Sequence, residues 1–348
     1  MHIASILSQS SVGSALGGAT ARYDPATANL PPPMHLSVVK SLSRQHVNGY
    51  ATAAARLRTR GRGRAGVMSP QHKFVMAAGY CIHVMEWGRS GGPAVLILHG
   101  LARSARDHDE FAAALADTYR VIVPDLPGRG LSQWAASGAD YGWHTYLPVM
   151  AELLDALDVV RAVWVGTSMG GALGIAAAGD PRIGPKLAAL LLNDMGPEVP
   201  DAAFDHILSY AGTPPVFDTL PEYEEFLRKT YVGRGPIPDS AWRRMAVYGH
   251  RRTDDGRITV HNDPRVIDQI RDRRADYRQW EVFRKLTLPV LCFRGATSLL
   301  LPLSVSAAMA TQPPFAQIVE VPNCGHAPGL DSDFQIDVSR SFIRKYLG

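Results

Sequence analysis

The chain has 348 residues, 46% hydrophobic and 20% charged, enough for one large domain or two modest ones. No uninterrupted apolar run approaches the ~18–20 residues of a membrane-spanning helix. Three cysteines, Cys81, Cys292 and Cys324, are too few and too scattered for a disulfide framework or a zinc cluster. The formal net charge is +4, but residues 1–70 hold eight Lys and Arg and a single acid, Asp24, so the remaining 278 residues carry a net −3. That body offers no basic footprint for nucleic acid.

Residues 1–70 are rich in Ser, Ala, Gly and Arg and include Pro31-Pro32-Pro33 and the basic run from Arg56 to Arg64. They show no sustained helical or strand period, so disorder is the expectation. Three readings stay open. The segment is an over-long start with Met68 as the working initiator, an organellar transit or export segment, or a functional basic tail. The first implies a cytoplasmic protein and the second an organellar or exported one.

From residue 71 the elements alternate. Phe74-Val75-Met76 and Ile82 to Trp87 flank Gly79 and predict a β-hairpin. Ala94 to Leu98 is continuously apolar, the mark of a strand buried on both faces. A helix over 107–117 leads to a strand at Val121-Ile122-Val123, and a helix over 146–158 to a strand at Ala162 to Val165. A helix starting at Ser168 precedes a strand at Ala188 to Leu192. Later come strands at Val290 to Phe293 and Ile318 to Val321, then an amphipathic helix over 333–346. Such alternation specifies a mostly parallel sheet with helices on both faces.

Between the strands at 188–192 and 290–293 lies an insertion over 197–286 with helical patterning. Thr219-Leu220-Pro221-Glu222 has the form of a capping box with proline in the first turn. Its aromatics, among them Phe204, Tyr223, Trp242 and Trp280, are expected to pack a small core of their own, with some lining an apolar pocket against the sheet.

Gly166-Thr167-Ser168-Met169-Gly170-Gly171 is a G-x-S-x-G motif between a predicted strand and a predicted helix. A turn sharp enough to present Ser168 crowds the positions two residues either side, and Gly166 and Gly170 relieve that crowding. The serine then stands at a helix N-terminus, where backbone N–H groups stabilise an anion. A hydroxyl nucleophile needs a base. His326, in Asn323-Cys324-Gly325-His326-Ala327-Pro328 after the last predicted strand, falls on the same carboxyl edge of the sheet as Ser168. His99, in His99-Gly100-Leu101, is expected to order its loop while the Leu101 and Met169 N–H groups face an oxyanion.

These residues resemble the α/β-hydrolase superfamily over about 72–348. The landmarks are His99-Gly100, Pro124-Asp125-Leu126-Pro127-Gly128-Arg129-Gly130-Leu131-Ser132, the elbow around Ser168, Asn193-Asp194-Met195-Gly196-Pro197 and Gly325-His326-Ala327-Pro328. The resemblance implies a hydrolase core over 71–196 and 287–348 and a helical cap over 197–286. It also implies Ser168 as nucleophile, His326 as base, and Leu101 and Met169 as oxyanion donors. The chain departs from the pattern at one place. The third triad member usually follows the strand that is 290–293 here, at the position of Leu299, yet Arg294 to Pro302 contains no carboxylate. Asp194 is the expected substitute, since some superfamily members take the acid from that neighbouring strand end; Asp331 and Asp333 are alternatives.

The expected activity is cleavage of a carboxylic ester or similar acyl bond on a small molecule through an acyl-enzyme, with neither metal nor organic cofactor. Cleavage of a carbon–carbon bond or a lactone by the same machinery stays open, as does a non-catalytic binding role prompted by the missing acid.

Overall fold

The computed structural model describes residues 69–348 apart from 212, 232 and 236, so the segment 1–68, with the targeting readings that concern it, lies outside the described residues. Eight strands form one sheet: β1 (Gln71–Ala77), β2 (Tyr80–Trp87), β3 (Ala94–Leu98), β4 (Arg120–Pro124), β5 (Ala162–Thr167), β6 (Leu187–Asn193), β10 (Val290–Gly295) and β11 (Gln317–Val321). Their order is β1-β2-β4-β3-β5-β6-β10-β11. The β1–β2 and β2–β4 pairs are antiparallel, and every other neighbour pair is parallel. The strands that read as continuously apolar are the central ones, buried on both faces because helices cover both sides.

Side-chain alternation divides the core into two layers. Leu96, Leu98, Trp164, Leu190 and Cys292 point to one face, where they pack against helices α2 (Trp143–Ala156) and α3 (Met169–Gly179). Val95, Ile97, Val163, Leu191 and Phe293 point to the other, beneath α1 (Asp109–Leu115) and the closing helix Asp333–Leu347. The helix predicted over 107–117 is a 3₁₀ turn over Ala105–His108 followed by α1.

Residues 197–286 hold the helices α4 (Asp201–Ala211), α5 (Leu220–Thr230), α6 (Asp239–Tyr248), α7 (Asp268–Asp272) and α8 (Trp280–Lys285). The capping box forms: Thr219 Oγ1 accepts from Glu222 N–H while the Glu222 carboxylate accepts from Thr219 N–H. Tyr223, Trp242, Met245 and Ile258 pack together as a separate small core. The segment is not purely helical. β7 (Val216–Phe217), β9 (Ile258–Val260) and β8 (His250–Arg252) make a small antiparallel sheet. Strands of two or three residues are too short to show a period, so the sequence reads only the helices there.

Candidate active site

The loops at the carboxyl ends of β3, β5, β6, β10 and β11 converge on one edge of the sheet, where open α/β sheets bind their ligands. Ser168 follows β5 with φ 54° and ψ −121°, a left-handed conformation costly for a residue with a side chain. The surrounding turn holds it there. Its N–H donates to Asn193 O (3.0 Å), and its carbonyl accepts from Gly171 N (2.8 Å) and Ala172 N (3.1 Å). A Cβ on Gly166 would lie 2.2 Å from the Gly170 carbonyl oxygen, and one on Gly170 would lie 2.5 Å from that of Leu98. Both positions therefore require glycine.

Ser168 Oγ donates to His326 Nε2 at 2.8 Å, and His326 Nδ1 donates to Asp194 Oδ2 at 2.6 Å. Asp194 is fully buried. Its Oδ2 also accepts from Ser298 Oγ (2.6 Å), and its Oδ1 from Gly295 N–H (2.8 Å). Three donors therefore fix the carboxylate, and the carboxylate fixes the imidazole tautomer that leaves Nε2 free to accept. Both ring nitrogens of His326 are thereby engaged, which leaves none for Asp331 or Asp333.

The loop after β10 thus supplies hydrogen-bond donors to the acid in place of a carboxylate. Leu299, where the resemblance would put an aspartate, is 69% exposed. It faces solvent on the outside of the turn, and the neighbouring Ser298 is the residue that reaches Asp194. Asn193 ties the edge together by donating to Thr167 Oγ1 (3.1 Å) and to Pro328 O (2.8 Å).

His99 accepts at Nε2 from Leu126 N–H (3.1 Å), so Nδ1 carries the proton and donates to Gly100 O (2.7 Å). Burial pushes its pKa down to about 4, so it stays neutral and structural at neutral pH. The sequence singled out the Pro127-Gly128-Arg129-Gly130 motif without a task for Arg129. Its guanidinium is fully buried and donates to Leu101 O (2.8 Å), Pro127 O (2.7 Å) and Tyr146 Oη (2.6 Å), with Nη2 against Met169 Sδ at 3.5 Å. Among the described residues it has no ion pair. Sequence reasoning treats an arginine in a Gly-rich turn as solvated, so the motif itself was the only available signal.

Beside Ser168 opens a small apolar cleft. Leu101, Met169, Met195, Phe204, Ile207 and Leu300 are among the residues that line it. Phe204 and Tyr277 are the insertion aromatics that reach this wall, while Tyr223 and Trp242 stay in the separate small core.

The chain as a whole has known counterparts. The alpha/beta hydrolase family profile matches residues 95–336. The chain belongs to the alpha/beta hydrolase family. Within it, the 3-hydroxybutyrate-oligomer hydrolase of Cupriavidus necator is 35% identical over 268 residues, covering 74% of this chain and 91% of that protein. A pimeloyl-[acyl-carrier protein] methyl ester esterase of Xanthomonas campestris is 28% identical over 253 residues, covering 70% and 92%. An alpha/beta hydrolase structure from Novosphingobium aromaticivorans superimposes with a TM-score of 0.72 at 30% identity, covering 80% of this chain and all of that one. These relatives are hydrolases, and hydrolysis is the activity the family membership supports.

Proposed function

We propose that this alpha/beta hydrolase is a serine esterase that works through an acyl-enzyme on Ser168. The observation that carries the reading is the continuous chain from Ser168 Oγ through His326 to Asp194, at 2.8 and 2.6 Å. In this mechanism His326 Nε2 takes the Ser168 proton as Oγ attacks the ester carbonyl. The Leu101 and Met169 N–H groups hold the oxyanion, at an elbow whose backbone is fixed before substrate arrives. His326 returns the proton to the departing alkoxide, then activates the water that releases the acid. Asp194 orients the ring and stabilises the imidazolium during both transfers.

The cleft takes the acyl part, with residues 197–286 acting as the cap that supplies Phe204, Ile207 and Tyr277. It is small and its lining is almost wholly apolar, which suits a short aliphatic acyl group. The Cupriavidus relative is named for oligomers of a four-carbon hydroxy acid, whose ester links present such groups. The missing acid was the ground for a non-catalytic binding role, and a buried carboxylate at His326 weakens that ground.

The test compares p-nitrophenyl esters of acetate, butyrate and decanoate with linear 3-hydroxybutyrate dimer and trimer. The short esters and the oligomers should turn over and decanoate should lag. Ser168→Ala should lose all of it while folding normally. Activity retained by purified Ser168→Ala, or no hydrolysis of any ester by the wild type, would overturn the reading.

A further inference from the structure

The loop after α5 crosses the loop that carries His326. Gly325 N–H donates to Gly233 O (2.6 Å), Cys324 Sγ donates to Arg234 O (2.8 Å), and Arg234 Nε donates to Ala327 O (2.9 Å). The Arg234 guanidinium is thus held one residue from His326. A second arginine, Arg103, lies close enough to act on it electrostatically. A Cβ on Gly100 would lie 3.6 Å from Ser168 Cβ and 3.7 Å from Arg103 Cγ, so the nucleophile and the stem of Arg103 border the same glycine. Arg103 lies over the Tyr231 ring at 5.4 Å, at the root of the Arg234 loop.

The two arginines differ in what neutralises them. Arg103 makes a bidentate pair with Asp107, through Nε to Oδ2 and Nη2 to Oδ1 (2.7 Å), which occupies both carboxylate oxygens. Arg234 makes no ion pair with any described carboxylate. Asp107, Arg103, Tyr231 and Asp331 act on it electrostatically, but burial is the largest influence and disfavours its charge. A partly desolvated guanidinium with its terminal N–H groups unpaired within the described residues is suited to a planar anion, which it can hold with two parallel hydrogen bonds.

Arg234 is anchored beside His326 and is not among the residues that line the apolar cleft. His326 returns its proton to the leaving alcohol, so the alcohol side of the ester lies by His326, and the apolar cleft takes the acyl side. We propose that Arg234 binds a free carboxylate on the alcohol portion of the ester, making this an enzyme for acyloxy-carboxylates of the type acyl–O–CHR–CH2–COO⁻. Oligomers of a 3-hydroxy acid would then be cut at the carboxyl end, one unit per turnover. The inference rests on the esterase reading and adds a substrate class to it.

The experiment measures kcat/KM for 3-butyryloxybutyrate and for its methyl ester, with p-nitrophenyl butyrate as a separate report on the esterase itself. Wild type should favour the free acid by at least about tenfold, mainly through KM, as a charge-assisted bidentate contact implies. Arg234→Gln should collapse that ratio toward one, and Arg234→Lys should retain part of it because the charge remains while the fork is lost. Equal or better cleavage of the methyl ester by wild type overturns the proposal without needing any variant. An unchanged ratio in folded Arg234→Gln also overturns it. Hydrolysis of p-nitrophenyl butyrate alongside either result leaves the esterase reading standing, whereas failure on all three esters removes both.

Discussion

Asp194 reaches His326 from the end of β6, and its carboxylate is held by Gly295 N–H and Ser298 Oγ as well as by the imidazole. Replacing it with asparagine turns one acceptor oxygen into a donor among these three donors. Asp194→Asn should lower kcat by roughly 10²–10⁴, as loss of a triad acid does, with a smaller change in KM because ring orientation matters most in the transition state. Ser298→Ala removes one of the three bonds and should cost about tenfold or less. Leu299→Asp should not restore Asp194→Asn, since position 299 faces solvent. Steady-state kinetics with p-nitrophenyl butyrate check all three, and a silent Asp194→Asn would remove Asp194 from the mechanism. Arg129 gives a second test at this scale. It bridges Leu101 and Met169, the two residues proposed to hold the oxyanion, so we treat it as a positioning residue. Arg129→Met strands three acceptors and should destabilise the fold by at least about 2 kcal/mol. Arg129→Lys keeps the charge without the span, and should lose kcat by more than about tenfold while KM moves less. A purely structural role predicts unchanged kcat in whatever fraction of Arg129→Lys is folded.

At the scale of elements, legibility followed length and burial. β3, β5, β6 and β10 were readable because a strand covered on both faces is apolar at every position, and the capping box placed the start of α5 within a residue. β7, β8 and β9 were not readable, being two or three residues long, and the helix Leu303–Thr311 was missed because its apolar residues show no clear amphipathic stripe. Asp109 at the start of α1 offers a test of an element's electrostatics. Acids at helix N-termini are ordinarily favourable, yet Asp109 Oδ1 is buried without a partner among the described residues, while Arg106 holds Oδ2 at 2.9 Å. Burial raises the Asp109 pKa to about 6. The folded protein then binds this proton more tightly than the unfolded chain does. The associated stability is full below about pH 4 and is lost as pH rises through 6. Asp109→Asn should therefore stabilise at pH 8, by up to about 2 kcal/mol, with the gain fading by pH 4. Urea melts at the two pH values check it, and a destabilised variant at pH 8 would contradict it.

For the molecule as a whole, the parallel part of the sheet gathers six strand ends on one edge, and that topology is why residues as distant in sequence as Ser168, Asp194 and His326 meet. Chain order was enough to propose Ser168 and His326 as a pair, because each follows a strand of the same parallel sheet. The acid is ambiguous in the sequence because the resemblance allows a carboxylate after either β6 or β10, and only the folded loop shows that position 299 faces solvent while Asp194 meets His326. Arg129 and Arg234 were silent in the sequence, since only tertiary burial distinguishes a guanidinium wedged behind the site from one in water. Among the described residues no helix is long and apolar enough to cross a membrane. In the proposed mechanism the Ser168 hydroxyl is activated by the His326–Asp194 pair. Intact-mass and peptide analysis after treatment with a fluorophosphonate tests it most directly. Wild type should carry one adduct, on the Ser168 peptide, with much slower labelling in His326→Ala and none in Ser168→Ala. An adduct on another residue, or undiminished labelling of His326→Ala, would contradict it.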